Sequence, residues 1–282
     1  DSFTWVAKKK NYPNVIKPGK YKIDEGVNNN ELINLLRSGK QTPVQLSFNN
    51  QDTLEKLAGR IASQIEADST SLINTFKNSE FLAKNGFNNN TAIAMYLPNT
   101  YEFYWNTSAK AFQDRMLSEY ERFWTENKKN KAKQQNLSPV EAITLASIVQ
   151  KETSHVPERP KVAGLYLNRL NDNWPLQADP TVIFALKQVN GEDFEVKRVL
   201  NKDLSISSPY NTYLNTGLPP GPIGMPDVSS INAVLSPEKH SYYYMCASVE
   251  KIGTHEFAST LQQHNSNARK YQNWLNSQGV NR

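Results

Sequence analysis

The sequence predicts an α+β protein in two parts, a small mixed module followed by a mostly helical domain with a small β element. Three observations predict it. Up to about residue 92, short period-two runs alternate with short helical runs. The middle of the chain carries long apolar stripes at helical spacing, opened by capping residues, and one further pair of alternating runs follows near the C-terminus. The 282 residues suit two domains, at about 150 residues each, with boundaries expected at 1–92 and 93–282. With 38% apolar and 21% charged residues the composition is that of a folded globular chain.

In the first part, Lys17-Pro18-Gly19 makes a turn and Tyr21-Lys22-Ile23 is expected as a strand. Glu31 to Arg37 is a short amphipathic helix ended by Gly39, and Val44 to Phe48 alternates as a second strand. Asn50-Gln51-Asp52-Thr53 supplies a turn and cap. Leu54, Leu57, Ala58, Ile61, Ala62 and Ile65 then share one helical face. The Asn runs at 28–30 and 88–90 read as turns.

In the second part, Thr107 to Glu126 reads as one long helix with Phe112, Met116, Tyr120, Phe123 and Trp124 as its packing stripe, and Asn127 to Gln135 as a polar linker. Ser138-Pro139-Val140-Glu141 is a complete capping box with Pro at the first helical position, so a helix runs from Pro139 to about Ser154. Further helices are expected over Pro160–Leu170 and from Asp179, read as the cap before Pro180. Ser205 to Asp227, with five prolines and three glycines, fits neither helix nor central strand. A connection of that length is usually functional, and its rings and prolines favour an ordered wall. Tyr242–Ala247 and Thr254–Phe257 should pair around Ile252-Gly253, and Thr260–Ser277 should close the chain as a helix.

Composition removes several classes of function. The 32 basic against 27 acidic residues leave a formal charge of +5, spread along the chain. The densest basic run, Lys128 to Lys133, has no interleaved aromatic, so nucleic-acid binding is not expected. The single cysteine, Cys246, excludes an intrachain disulfide and a cysteine-based metal cluster. His155, His240, His255 and His264 show no metal-ligand spacing, and neither a Gly-x-Ser-x-Gly elbow nor a Gly-rich phosphate loop occurs. No cofactor or metal is therefore expected. Apolar runs such as Thr181–Leu186 are far shorter than the ~20 residues a membrane span needs. The start at Asp1, without Met or a signal-peptide core, suggests a trimmed or processed ectodomain.

The chemistry is sought on the capped helix. Ala142, Leu145, Ala146 and Val149 form an i, i+3, i+4, i+7 stripe that continues to Glu152 and Thr153. Desolvation on that face and the negative end of the helix dipole would both raise the Glu152 pKa, as a general acid requires. The competing reading sends the Glu152 side chain to solvent, or pairs it with Lys151 or Arg159. Around it the sequence offers neutral hydrogen-bonders and aromatics, Asn168, Gln177, Tyr210, Asn211 and Tyr213, together with Arg169. That mixture suits a hydroxyl-rich ligand such as a glycan, whose bond a carboxylic acid can break.

Seven motifs in order now carry a resemblance. They are Ala146 to Thr153, Glu158 to Ala163, Asn168-Arg169-Leu170, Leu176 to Val182, Tyr210 to Tyr213, Gly217 to Ile223, and Gly253 to Phe257. Together with Tyr96 to Tyr101 they closely resemble the YceG-like family, the MltG-type endolytic murein transglycosylases. In the first part, Gly19-x-Tyr21-x-Ile23 and Asp52-Thr53-Leu54-x-x-Leu57-Ala58 resemble a degenerate LysM-type carbohydrate-binding module.

The resemblance implies an enzyme of the bacterial inner membrane that faces the periplasm and cell wall, held by a single N-terminal anchor that would precede Asp1. It would cut nascent peptidoglycan strands internally and end their elongation, in company with peptidoglycan synthases, the penicillin-binding proteins. The family's catalytic Glu, in a Lys-Glu-Thr motif, falls on Glu152. Many members carry Glu where this chain has Gln150, and a polar residue where it has Ala178. Asn168, Gln177, Tyr210 and Asn211 are expected to line the groove around Glu152, although Asn168-Arg169 also reads as a helix end tying down a loop. Two alternatives stand beside the transglycosylase: a non-catalytic peptidoglycan-binding or scaffold protein, and a lysozyme-type hydrolase with Asp179 as second carboxylate.

Overall fold

The computed structural model describes residues 1–196 and 198–278. In chain order the elements are α1 (Ser2–Lys9), α2 (Asn29–Ser38), β1 (Val44–Phe48), α3 (Leu54–Ala62), α4 (Ser69–Phe76), α5 (Ser79–Lys84), β2 (Asn99–Phe103) and α6 (Ala109–Phe123). There follow α7 (Glu126–Gln134), α8 (Pro139–Glu152), α9 (Arg159–Asn171), α10 (Asp179–Asn190), α11 (Val228–Leu235), β3 (Tyr244–Ala247), β4 (His255–Ala258) and α12 (Leu261–Ser277). Helices predominate, and the strands form two separate antiparallel pairs, β1 with β2 and β3 with β4. The fold class is α+β. Among the described residues no helix is long and apolar enough to cross a membrane.

The chain divides into two compact units, Asp1–Asn78 with Pro98–Leu117, and Ser79–Leu97 with Ser118 onward. In the first, β1, α3, α4 and β2 succeed one another, and the register runs from Val44 opposite Phe103 to Phe48 opposite Asn99. Leu46, Leu57, Ile61, Leu72, Phe76 and Phe112 are fully buried there. The caps follow the sequence: Asn28 and Glu31 close a capping box on α2, Gly39 ends it at φ 73°, and Thr53 caps α3.

Two expectations for this unit are corrected. Tyr21–Ile23 is not a strand, since it joins no ladder, and Ile23 is exposed. The partner of β1 is instead β2, which lies beyond residue 92. The unit therefore takes in Pro98–Leu117 and leaves Ser79–Leu97 to the other unit.

In the second unit, α8 is central. Every residue from Ala142 to Val149 is buried, so α8 is enclosed on all sides rather than along one stripe. Its start is the expected capping box, with Ser138 accepting from the Glu141 N–H and Glu141 accepting from the Ser138 N–H. The expected helix Thr107–Glu126 ends at Phe123, and the stretch Asn127–Gln135, expected as a polar linker, lies in and at the end of helix α7. Thr125 caps it, its Lys, Gln, Glu and Ala are good helix formers, and Ala132 is fully buried.

The Ser205–Asp227 segment is irregular yet packed. Its residues 221–226 are buried, the Ile223 N–H donates to Ser147 Oγ at 3.0 Å, and the Asp227 N–H donates to Gln150 Oε1 at 2.6 Å. Gly221 is obligatory here, because a Cβ would stand 2.1 Å from the Asn90 carbonyl oxygen. Gln150 thus serves structure. Its side-chain oxygen also accepts from Ser230 Oγ, at the start of α11. The β3–β4 hairpin turns through Gly253 at φ 83°, and α12 packs on β3 and β4 after a Thr260 cap.

Candidate active site

Glu152 is the last residue of α8, and it opens into a cleft of about 230 Å³ shared with Tyr166, Arg169, Gln177, Asp179, Tyr213, Met245 and His255. All of these belong to the second unit. Tyr166 projects from α9, the helix packed on α8, and its hydroxyl donates to Glu152 Oε1 at 2.6 Å. Arg159, the competing partner, is instead committed to Asp227.

Electrostatics make Glu152 an acid. Loss of hydration is the largest influence and pushes its pKa to about 7; the Tyr166 hydrogen bond and the charges of His255 and Arg169 pull the other way, while Asp179 adds to the rise. Tyr166, buried and facing Glu152, has its own pKa pushed far up and stays a donor. Tyr166 engages Oε1, and Oε2 has no hydrogen-bond partner among the described residues.

The opposite wall comes from the start of α10. Asp179 is its first residue and Ala178 occupies the cap position, so Asp179 is not the helix cap that its sequence suggested. Ala178 is buried, and its N–H donates to Thr212 Oγ1 at 3.0 Å. Released from capping, Asp179 accepts from the Tyr213 hydroxyl at 2.6 Å. Gln177 sits just before it in the left-handed region at φ 49°, held by its N–H to the Thr212 carbonyl. Such a backbone costs about 1 kcal/mol and persists where its surroundings impose it.

The sequence profile of the YceG-like family matches residues 1–270. The chain belongs to the YceG-like family. It is 32% identical over 270 residues to the endolytic murein transglycosylase of Bacillus subtilis, a match covering 90% of this chain and 72% of that protein. A protein of the same name from Streptococcus pneumoniae is 28% identical over 305 residues, covering 96% of this chain and 53% of its own. The chain therefore spans about half the length of the streptococcal relative. A crystal structure of a YceG-like protein from Listeria monocytogenes superposes with a TM-score of 0.67 at 29% identity, covering 94% of this chain and 88% of that one.

Of the four sugar-binding candidates, this YceG-like chain brings only Gln177 to the Glu152 cleft. Asn168 spends its amide on the carbonyls of His240 and Tyr242, at 2.9 and 3.0 Å, and so ties α9 to the chain entering β3. Arg169 acts likewise on the Tyr243 and Leu176 carbonyls, while also facing the cleft. Asn211 is fully buried, its amide donating to the Leu204 and Ile206 carbonyls. Tyr210 is buried against Phe184. These three placements are corrections. Asparagine amides are as well suited to satisfying irregular backbone as to binding sugars, and here the backbone claims them.

Tyr166 escaped the sequence reading. Its signal was present, since Val162, Leu165, Tyr166 and Arg169 form a helical stripe, and a tyrosine on a buried stripe needs a partner for its hydroxyl. A second cavity of about 700 Å³, between β3 and α12, shares Cys246 and Ala247 with the cleft, but no carboxyl group lines it.

Proposed function

We propose that Glu152 cleaves the MurNAc-β-1,4-GlcNAc bond within nascent peptidoglycan strands, without water, leaving a 1,6-anhydro-MurNAc end that terminates elongation. The chain is an enzyme of the lytic transglycosylase class, as its family and its relatives named endolytic murein transglycosylase indicate. The observation that carries the detailed reading is a carboxyl group that lines a cleft, accepts a hydrogen bond from Tyr166 and has its pKa raised to about 7 by loss of hydration.

In the proposed cycle, Glu152 Oε2 gives its proton to the leaving glycosidic oxygen. As carboxylate, it then takes the proton from the C6 hydroxyl as that oxygen closes on C1. The nucleophile belongs to the substrate, so no second carboxylate is needed to activate a water. Gln177 offers its amide to the sugar from the cleft wall. We also propose that the β1-α3-α4-β2 core of the first unit is the LysM-like element, either a holder of glycan or a spacer. Anchorage before Asp1 in the inner membrane, action on the periplasmic side, and work beside peptidoglycan synthases complete the proposal.

A hydrolase is the second reading, favoured by one observation: Asp179 does not cap α10 and its carboxylate faces the same cleft. Mass analysis of products from purified glycan strands decides. Anhydro ends are expected; reducing ends would establish a hydrolase, and no products would leave a binding or scaffold role.

Tyr166→Phe provides a finer check. The hydroxyl favours the charged form of Glu152, so its loss raises that pKa further. Activity should then survive to higher pH than in the wild type, while the plateau rate falls about tenfold, in keeping with one hydrogen bond to an ionisable group. An unchanged alkaline limb in the pH–rate profile would remove Tyr166 from this role.

A further inference from the structure

We propose that His255, held by Glu158, is a second substrate-positioning group of the cleft, its Nε2 accepting a hydrogen bond from a hydroxyl or N-acetyl N–H of the sugar at the scissile bond. The proposal rests on the reading of the Glu152 cleft as a glycan site. Glu158 closes the single turn Val156–Glu158 between α8 and α9 and is buried. Both of its oxygens are spent on one residue: Oε1 accepts the His255 backbone N–H at 2.7 Å, and Oε2 lies 2.9 Å from His255 Nδ1. Burying a carboxyl group is costly, and one oxygen would suffice to tie β4 to the turn. The second oxygen fixes the imidazole itself, both its plane and its tautomer.

In the tautomer that donates Nδ1–H to Glu158, Nε2 carries the lone pair. His255 lines the cleft beside Glu152, and among the described residues its ring makes a hydrogen bond only through Nδ1. Its neighbours are differently placed: Tyr166 is committed to Glu152, Tyr213 to Asp179, and Arg169 to backbone carbonyls. An oriented acceptor beside these committed donors, and across from the Gln177 amide, matches the O–H and N–H groups of an N-acetylated sugar.

Three measurements test this. Imidazole ¹⁵N shifts of the neutral His255 ring should report the Nδ1–H tautomer in the wild type. Glu158→Gln keeps size and one acceptor but places an amide N–H against Nδ1, so the spectrum should change to the Nε2–H tautomer. His255→Asn keeps an N–H for Glu158 while deleting Nε2. In a Glu152→Gln background, where cleavage plays no part, it should weaken binding of peptide-free glycan strands at least fivefold with an unchanged melting temperature. A merely structural pair predicts unchanged binding in that variant. That result, or an Nε2–H tautomer in the wild type, overturns the proposal. Absence of cleavage by the wild-type enzyme would instead strike the reading of Glu152, and the binding and tautomer results would still stand.

Discussion

Glu152→Gln is expected to lower cleavage of glycan strands at least a hundredfold, the lower bound of what a general acid contributes. Strand binding should persist, because glutamine keeps the shape and can still accept from Tyr166 through its side-chain oxygen. The same substitution should stabilise the protein above neutral pH. The folded-state pKa of Glu152 is raised from 4.5 to about 7, so ionising it is harder in the folded chain than in the unfolded one. At pH 4 both states hold the proton and the variant gains nothing. Between 4.5 and 7 the wild type is progressively penalised, and above 7 it carries the full penalty. That penalty is on the order of 2 kcal/mol once the opening to the cleft is allowed for. Melting curves at pH 4 and pH 8 should show the gain only at pH 8. A residual rate above a hundredth of wild type would require another acid, and equal melting temperatures at pH 8 would mean that Glu152 is not desolvated.

Much of this was legible locally. Helix starts announce themselves through short-range chemistry, and Thr53 and Ser138 both accept from the first turn as their sequence contexts suggest; Asn28, read as part of a turn, and Thr260, read as the first helical residue, cap α2 and α12 in the same way. Glu152 falls at the end of α8 because the capping box sets where that helix begins and its apolar run sets how far it stays buried. The pairing of β1 with β2 was not legible, since three helices and a further stretch of chain separate strands that carry no mutual signature. Nor was the position of Asp179. Asp-Pro marks a helix start, but Thr181 and Thr212 satisfy the backbone around Ala178, and the cap moves back by one residue. What separates Gln177 from Asn168 and Asn211 is equally non-local. All three are neutral amides near family motifs, and only the path of distant backbone decides which amide is left for a ligand.

Arg159→Met should cost about 2 kcal/mol of stability, below the range for a fully buried ion pair because the Asp227 carboxylate left behind is 35% exposed and can be rehydrated. Arg159 is buried at the start of α9, and its Nη1 donates to both oxygens of Asp227 at 2.8 Å and to Ser229 Oγ at 2.6 Å. Its Nε donates to the carbonyl of Thr153, the residue that ends α8 beside Glu152. Asp227 in turn caps α11. One guanidinium therefore ties the end of α8 and the start of α9 to the start of α11. Burial by itself would raise the Asp227 pKa, but the hydrogen bonds from Arg159, Ser229 and Ser230 prevail and hold it below the usual carboxylate value. A depressed carboxylate contributes stability above its unfolded pKa and loses it as pH falls through the folded value. The gap between wild type and variant should thus be widest near neutral pH and narrow in acid. Urea unfolding at pH 7 and pH 3 measures it, and a gap that stays constant across that range would show that the loss comes from packing alone. Catalysis should suffer as well, because the Thr153 carbonyl fixes the chain immediately after Glu152. A released helix end frees the Glu152 carboxyl from its fixed place beside Tyr166, so the cleavage rate should fall.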